Sequence, residues 1–243
     1  PVGEANAEVR VAIAQWHADQ GAQFQRLASD SAWKWEKKTA AEICREVIAL
    51  IQAPFAVKKA TALLAQLEQP SLDITTEEAV LPDAPFKLAL TYANVKEVWL
   101  RVVKDEDPEN TYRGYLDEDG VERLLRMAPL RAWSVQLPDD GDLHAHLTEL
   151  PAEALPLGAY SILASNNKDF TDSSLISVTA VRATRLALAE RRLPGNASGV
   201  LVMDRNTGLP VKGASALLER QEYQRDGWRF RTIGTATTDA DGM

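Results

Sequence analysis

Two of the three histidines in this 243-residue chain, His144 and His146, are separated by a single residue. On a β-strand, alternate side chains lie about 7 Å apart on one face, so the pair could share a metal ion. The apolar residues of the same stretch are Leu143, Ala145 and Leu147, which we expect to form its buried face. The pattern therefore predicts that both histidines lie on the solvated face, and no third ligand is evident. We assign no metal ligand here.

Three acidic segments have the composition of calcium loops or of turns: Asp117, Asp119 and Gly120; the run Asp139-Asp140-Gly141-Asp142; and Asp239, Asp241 and Gly242. A twelve-residue calcium loop continues at fixed spacing to a glutamate, and the first and third segments lack that continuation. Asp, Asn and Gly are also the usual residues of tight turns. We interpret all three segments as turns.

The sequence does not favour an enzyme. It contains no Gly-x-Ser-x-Gly elbow and no Gly-rich phosphate loop, and three histidines provide few general bases. The single cysteine, Cys44, lies in an amphipathic helical pattern, where a thiol usually belongs to the core. We therefore assign no catalytic residue and no cofactor.

Composition excludes other classes of function. A net charge of −8 argues against a nucleic-acid partner, because phosphate binding requires a basic surface. No stretch approaches the roughly 20 apolar residues that cross a bilayer, so this segment should not insert into a membrane. An apolar content of 45 % is ordinary for a globular protein, and the length suits two domains or two and part of a third.

Residues 1–70 are predicted to be a helical lead-in. The spacing predicts helices from Glu4 to about Gln25, from Asp30 or Ser31 onwards, and from Pro54, whose missing N–H suits a first turn. The apolar stripes of the last two helices are Ile43, Val47, Leu50 and Ile51, and Val57, Ala60, Leu63, Leu64 and Leu67. The tryptophans expected to pack between the helices are Trp16, Trp33 and Trp35.

Residues 71–181 switch to a period of two, which is typical of strands. Seven short alternating runs, separated by Pro, Gly and Asp turns, predict an antiparallel immunoglobulin-like sandwich. The residues expected in its core are Leu90, Val98, Leu100, Val135, Tyr160 and Ile162. The interruption at 104–128 should be an insertion with a short helix containing Val121, Leu124 and Leu125.

Residues 182–243 are predicted to begin a second sandwich. An apolar run from Gly199 enters Asp204-Arg-Asn-Thr-Gly208 and leaves through Leu-Pro-Val211, which predicts a hairpin. The chain stops directly after Asp241-Gly242, where another strand is expected, so we expect a segment of a longer multi-domain protein and an unpaired strand edge.

Three stretches together resemble the macroglobulin domains of bacterial alpha-2-macroglobulin family proteins. They are Ala62 to Ile74, where a last helix meets a first strand; Leu88 to Val102, with an Asn-containing bend before a strand with an aliphatic-Arg pair; and Leu155-Pro-Leu-Gly-Ala-Tyr160, similar to the family's Leu-Pro-x-Gly-x-Tyr. The Asp204 to Ala214 hairpin resembles the start of a further macroglobulin or carboxypeptidase-regulatory-like module.

The resemblance implies a non-catalytic scaffold segment of a protease-trapping inhibitor, secreted or located in the cell envelope as a periplasmic protein or membrane-anchored lipoprotein. Its implied partners are proteases, through the full-length parent, and neighbouring macroglobulin domains. Many members carry a Cys-Gly-Glu-Gln thioester, but Cys44 is followed by Arg45-Glu46-Val47, so it does not match that motif.

Two other functions stay open. One is a surface adhesion or glycan-binding sandwich array, which exposed coplanar aromatics would favour; the residues to inspect are Tyr112, Tyr115, Tyr223 and Trp228. The other is an enzyme that uses His144 and His146 on a metal.

Overall fold

The computed structural model describes residues 3–25, 31–50, 53–105, 116, 118–171, 175–193, 197–224 and 227–243. Contacts divide the chain into two compact units. The first consists of Pro1–Glu77, Lys87–Pro151 and Tyr160–Ala180, and the second of Glu78–Phe86, Ala152–Ala159 and Val181–Met243. The domain boundaries 1–70, 71–181 and 182–243 stay a prediction.

The first unit begins with three helices: α1 (Glu4–Gly21), α2 (Glu36–Ile48) and α3 (Pro54–Leu67). Pro54 occupies the first turn of α3, as its missing N–H predicted. Two bounds differ from expectation. Helix α1 ends at Gly21 instead of Gln25, and α2 begins after a turn at residues 32–35 instead of at Ser31; Asp30 and Ile51 lie outside the described residues.

The interface of the three helices is made mainly of alanine. The fully buried alanines are Ala7, Ala14, Ala40, Ala41, Ala56 and Ala60. The chain packs closely where α1 ends: a Cβ built on Gly21 would lie 2.7 Å from Lys37 Cγ. The aliphatic residues Val11, Val47, Leu63 and Leu67 also belong to this core, together with Cys44.

The prediction that the tryptophans pack between the helices is wrong. Trp16, Trp33 and Trp35 are 54 %, 39 % and 46 % exposed. An indole is too large for an interface built for alanine methyl groups, so the rings lie on the surface. Lys34 Nζ lies 4.7 Å and Lys38 Nζ lies 5.5 Å from the centroid of the Trp35 ring, which is a cation–π arrangement.

The strands that follow form two sheets. The first sheet has the order β1-β3-β6 and the second β2-β8-β7-β4-β5. Their bounds are β1 Ser71–Thr76, β2 Ala79–Val80, β3 Phe86–Ala93, β4 Glu97–Lys104, β5 Arg131–Gln136, β6 His146–Ala152, β7 Gly158–Ser165 and β8 Ile176–Ala183. Antiparallel registers include Ile74↔Leu90 between β1 and β3, and Leu100↔Trp133 between β4 and β5.

The period-two analysis identified the interior of the sandwich correctly at five of six positions. The buried residues are Leu90, Val98, Leu100, Tyr160 and Ile162. Val135 is half-buried, because β5 is the last strand of its sheet and alternates between half-buried and exposed residues. The two-residue strand β2 was not predicted, and it pairs with β8 in parallel, in contrast to the purely antiparallel expectation.

The predicted insertion contains a helix, α4 (Glu118–Arg126). Leu124 is fully buried in a cluster with Val103, Leu163 and Phe170. A polar contact accompanies this packing. Asp105, which is fully buried, accepts hydrogen bonds from Arg123 Nη1 at 2.9 Å and from Ser161 Oγ at 2.8 Å.

The second unit contains two antiparallel hairpins. Strand β9 (Leu186–Leu193) pairs with β10 (Ala197–Asp204), and β11 (Ser215–Gln224) pairs with β12 (Gly227–Thr237). A bulge between Leu218 and Glu219 interrupts the second register. Many apolar side chains of these strands are exposed, among them Leu186, Leu188, Leu217 and Leu218.

The predicted hairpin after β10 is present. The Asp204 carboxylate accepts from Asn206 N at 3.0 Å, Thr207 N at 2.8 Å and Thr207 Oγ1 at 2.9 Å. Gly208 follows with φ +71°, a conformation that favours glycine. These bonds, led by the Thr207 N–H, hold the pKa of Asp204 below its usual value.

The returning chain contacts the same strand. Val202 donates its N–H to Gly242 O at 2.8 Å and accepts from Val211 N at 2.9 Å. The buried Thr238 hydroxyl donates to Val211 O at 2.6 Å and accepts from Ala214 N at 2.9 Å. The two turn motifs that the sequence showed therefore converge on Val202.

Candidate functional site

The segment between β5 and β6 carries the polar cluster of greatest chemical interest. It is shaped by two successive side-chain turns. Asp139 Oδ1 accepts from Gly141 N at 2.9 Å, and Asp142 Oδ1 accepts from His144 N at 3.0 Å. Gly141 and Leu143 have φ values of +70° and +58°. These left-handed residues redirect the chain before β6 begins.

The cluster consists of Asp140, Asp142 and His146. His146 Nε2 lies 3.0 Å from Asp142 Oδ1 and 3.3 Å from Asp140 Oδ1. The Asp142 side chain is 0 % exposed, that of His146 14 % and that of Asp140 40 %. The site is therefore buried at one carboxylate and open to solvent at the other.

Neighbouring groups hold Asp140 and His146. Lys34 Nζ donates to Asp140 Oδ2 at 2.8 Å. The Tyr92 ring stacks on His146 with centroids 5.4 Å apart, and Tyr92 Oη donates to Pro138 O at 2.7 Å. Lys34 from the turn before α2, Tyr92 from β3 and the loop itself thus orient the His146 imidazole and the Asp140 carboxylate.

The expectation for the two histidines is wrong. His144 is buried, its Nε2 lies 3.1 Å from Lys34 O, and its ring contacts Phe24 at 4.8 Å. Leu147, which was expected inside, is 69 % exposed. From His144 to Leu150 the burial does alternate, but the even-numbered residues face inward and Ala145, Leu147 and Glu149 are exposed, so the prediction assigned the two faces the wrong way round.

The rings of the two histidines make different contacts. His144 is directed to Lys34 and Phe24, while His146 faces the two aspartates. Sequence reasoning listed Asp140 and Asp142 as turn residues only. The available signal was the three-residue gap between Asp142 and His146, which a turn can close.

The buried Asp142 carboxylate affects the pKa of a lysine beside the cluster. Burial lowers the pKa of Lys37, and the Asp142 carboxylate opposes that shift by stabilising the ammonium form. Lys34 and Lys37 thus offset part of the negative charge of the two aspartates.

The other acidic segments differ in outcome. Asp239 Oδ1 accepts from Asp241 N at 2.9 Å and Met243 N at 3.0 Å, so its carboxylate builds a turn as predicted. Asp119 and Gly120 lie in α4, so the turn interpretation is wrong there. Asp117 lies outside the described residues.

The remaining candidates have few features of a site. Cys44 is fully buried, and burial raises the pKa of its thiol. Tyr223 is exposed on β11, whereas Tyr112 and Tyr115 and the side chain of Trp228 lie outside the described residues. Within the described ranges, no helix is long and apolar enough to cross a membrane.

Comparison with known proteins identifies the fold of this chain. No protein-family model and no curated protein matches the chain. The chain is similar in structure to native alpha-2-macroglobulin from Escherichia coli spanning domains MG0-NIE-MG1, with a TM-score of 0.52 and 16 % identity. The match covers 72 % of this chain, and it spans 56 % of that one. The chain therefore has a macroglobulin-like fold, and at this identity the likeness shows the fold alone.

Two further solved structures match more distantly. They are the CARDB domain of PF1109 from Pyrococcus furiosus in complex with di-metal ions (TM-score 0.29, 11 % identity, 48 % of this chain and 88 % of that one) and superoxide reductase from Ignicoccus hospitalis (TM-score 0.28, 8 % identity, 51 % and 87 %). Likenesses this weak carry no argument about the chain.

Proposed function

We propose that this chain is a non-catalytic scaffold segment of a bacterial alpha-2-macroglobulin-like protein that traps proteases. The observation that carries the proposal is the macroglobulin-like fold, matched over 72 % of the chain to a segment of the Escherichia coli protein. The sequence resemblance at Ala62 to Ile74, Leu88 to Val102 and Leu155 to Tyr160 agrees with it.

The surface of the second unit supports a role beside other domains. An isolated two-stranded hairpin is marginally stable in water. In the second unit, β9 pairs with β10 and β11 with β12, and each pair forms a sheet of two strands. Leu188 and Leu217 are about two-thirds exposed on these hairpins. A neighbouring macroglobulin domain of the same protein would bury these side chains and pair open edges. We place the parent in the cell envelope or outside the cell.

Trapping requires a cleavable bait and a collapse around the protease, and covalent capture also requires a thioester. Cys44 lacks the Gly-Glu-Gln that follows the thioester cysteine in the family, and its thiol is fully buried. The chain by itself should therefore be inert towards proteases and towards methylamine.

The test compares the full-length parent with this chain. Each is incubated with several endoproteases, and residual activity is measured on a large protein and on a small peptide. The parent should reduce hydrolysis of the large protein and spare the peptide, because a caged protease remains open to small molecules; this chain should change neither. Inhibition of both activities by this chain would show an active-site inhibitor instead, and a parent without effect on the large protein would refute the trap.

A further inference from the structure

We propose that Asp140, Asp142 and His146 bind one divalent cation of the zinc class. One imidazole nitrogen and two carboxylate oxygens are donors that Zn²⁺ accepts. Within the residues that the structure describes, this is the group of metal-ligating side chains whose three ligand atoms lie within 4.8 Å of one another.

Two of the three distances between the ligand atoms match the spacing expected on a shared ion, and the third lies within 4.8 Å. Bond lengths of about 2.0–2.1 Å and a tetrahedral angle place two zinc ligands roughly 3.3 Å apart. His146 Nε2 lies 3.0 Å from Asp142 Oδ1 and 3.3 Å from Asp140 Oδ1. A cation can therefore enter with small side-chain shifts.

A proton and a cation would use these three ligand atoms differently. The Nε2 atom of an imidazole carries at most one hydrogen, which points at one acceptor. Here two carboxylate oxygens face that single atom from different residues. A divalent cation would contact all three ligand atoms at once.

The surroundings orient the ligands as outer groups do in metal sites. The His144 N–H donates to Asp142 Oδ1, and Lys34 donates to Asp140 Oδ2, which leaves the Oδ1 atom of Asp140 directed at His146. The Tyr92 ring fixes the imidazole plane. The half-exposed Asp140 provides the entry route and the side on which water completes the coordination.

The nearby ammonium groups lower the affinity that we expect for the cation. Lys34 and Lys37 compensate part of the carboxylate charge. Three protein ligands beside these cations should bind Zn²⁺ at about micromolar affinity, weaker than closed four-ligand structural sites.

The experiment titrates the tag-free chain with Zn²⁺ alone by calorimetry. We expect one equivalent to bind. Asp140→Asn and His146→Gln should each weaken binding by about tenfold or more. The matched control is His17→Gln, which removes a histidine paired with Glu36 on the helices; it should stay within about twofold of the unmodified chain.

A second readout identifies the ligand directly and covers a variant that fails to fold. The chain has three histidines, so their ring resonances can be assigned by NMR from single variants. Zinc should shift the His146 ring signals and leave those of His17 unchanged. The proposal is overturned if no saturable site is found, if Asp140→Asn binds as the unmodified chain does, or if His17 responds in place of His146.

Discussion

Replacing Gly242 by alanine tests whether the terminal turn is part of the second unit's structure. Gly242 has φ +77°, and a Cβ built there would lie 2.6 Å from Val202 O and 3.0 Å from Pro210 Cβ. Gly208 is the matched control. It has φ +71° in the hairpin on the same strand, and nothing lies within 4 Å of its Cβ position.

Gly242→Ala carries two separate free-energy costs, one of which it shares with Gly208→Ala. The left-handed conformation costs alanine about 1–2 kcal/mol, partly offset by about 0.4–1 kcal/mol of lost freedom in the unfolded chain. That net penalty is common to both variants. Gly242→Ala must also displace Val202 O, which accepts from Val211 N at 2.9 Å, or detach Gly242 O from Val202 N. Losing such a bond adds about 1–3 kcal/mol.

Hydrogen exchange at the amides of Val202 and Val211 measures the difference. Each 1.4 kcal/mol corresponds to roughly tenfold faster exchange through local opening. We expect Gly242→Ala to accelerate both amides by about 5- to 150-fold beyond the effect of Gly208→Ala. Equal exchange in the two variants would refute the argument, because it would mean that the turn does not contact Val202 closely in solution.

Three further predictions follow from single contacts. Gly21→Ala places a Cβ 2.7 Å from Lys37 Cγ and 2.9 Å from its backbone N, and should lower the free energy of unfolding by about 1–3 kcal/mol in urea titrations followed by far-UV circular dichroism; an unchanged midpoint would contradict this packing. The pKa of Asp204 is lowered on folding, so its stabilisation is present above about pH 4 and lost as the pH falls through the folded-state value. Amide exchange at Thr207, corrected for intrinsic rate, should therefore rise in acid in the unmodified chain but not in Asp204→Ala. Burial raises the pKa of Cys44, so a thiol reagent should label it far more slowly in buffer than in urea; equal rates would place it at the surface.

The positions of helices and strands were largely predictable, because they follow from periodicity. The stripe at Ala60, Leu63 and Leu67 is buried on α3, and Leu90, Leu100 and Ile162 are buried on strands. These patterns report a local geometry that every neighbouring residue repeats. The parallel contact of β2 could not be predicted, since two residues have no period.

The tryptophans show the limit of reasoning from residue type. Trp16 and Trp35 are large and apolar, yet alanines occupy the helix interface and the rings are exposed. Burial depends on the space that facing helices leave, which is a property of pairs of elements and not of one residue.

By itself, the sequence determined the fold class, the order of the helices and of the strands except β2, and the turns at Asp204 and Asp239, because each depends on residues close together in the chain. Only the tertiary structure decided which way His146 points. Residues 144–150 alternate in burial, but which of their two faces lies inward depends on what packs against them. Lys34 and Tyr92, which are distant in the sequence, complete the surroundings of His146. The three ligands of the cluster lie close together in the sequence, but only the folded chain shows that their side chains face one another.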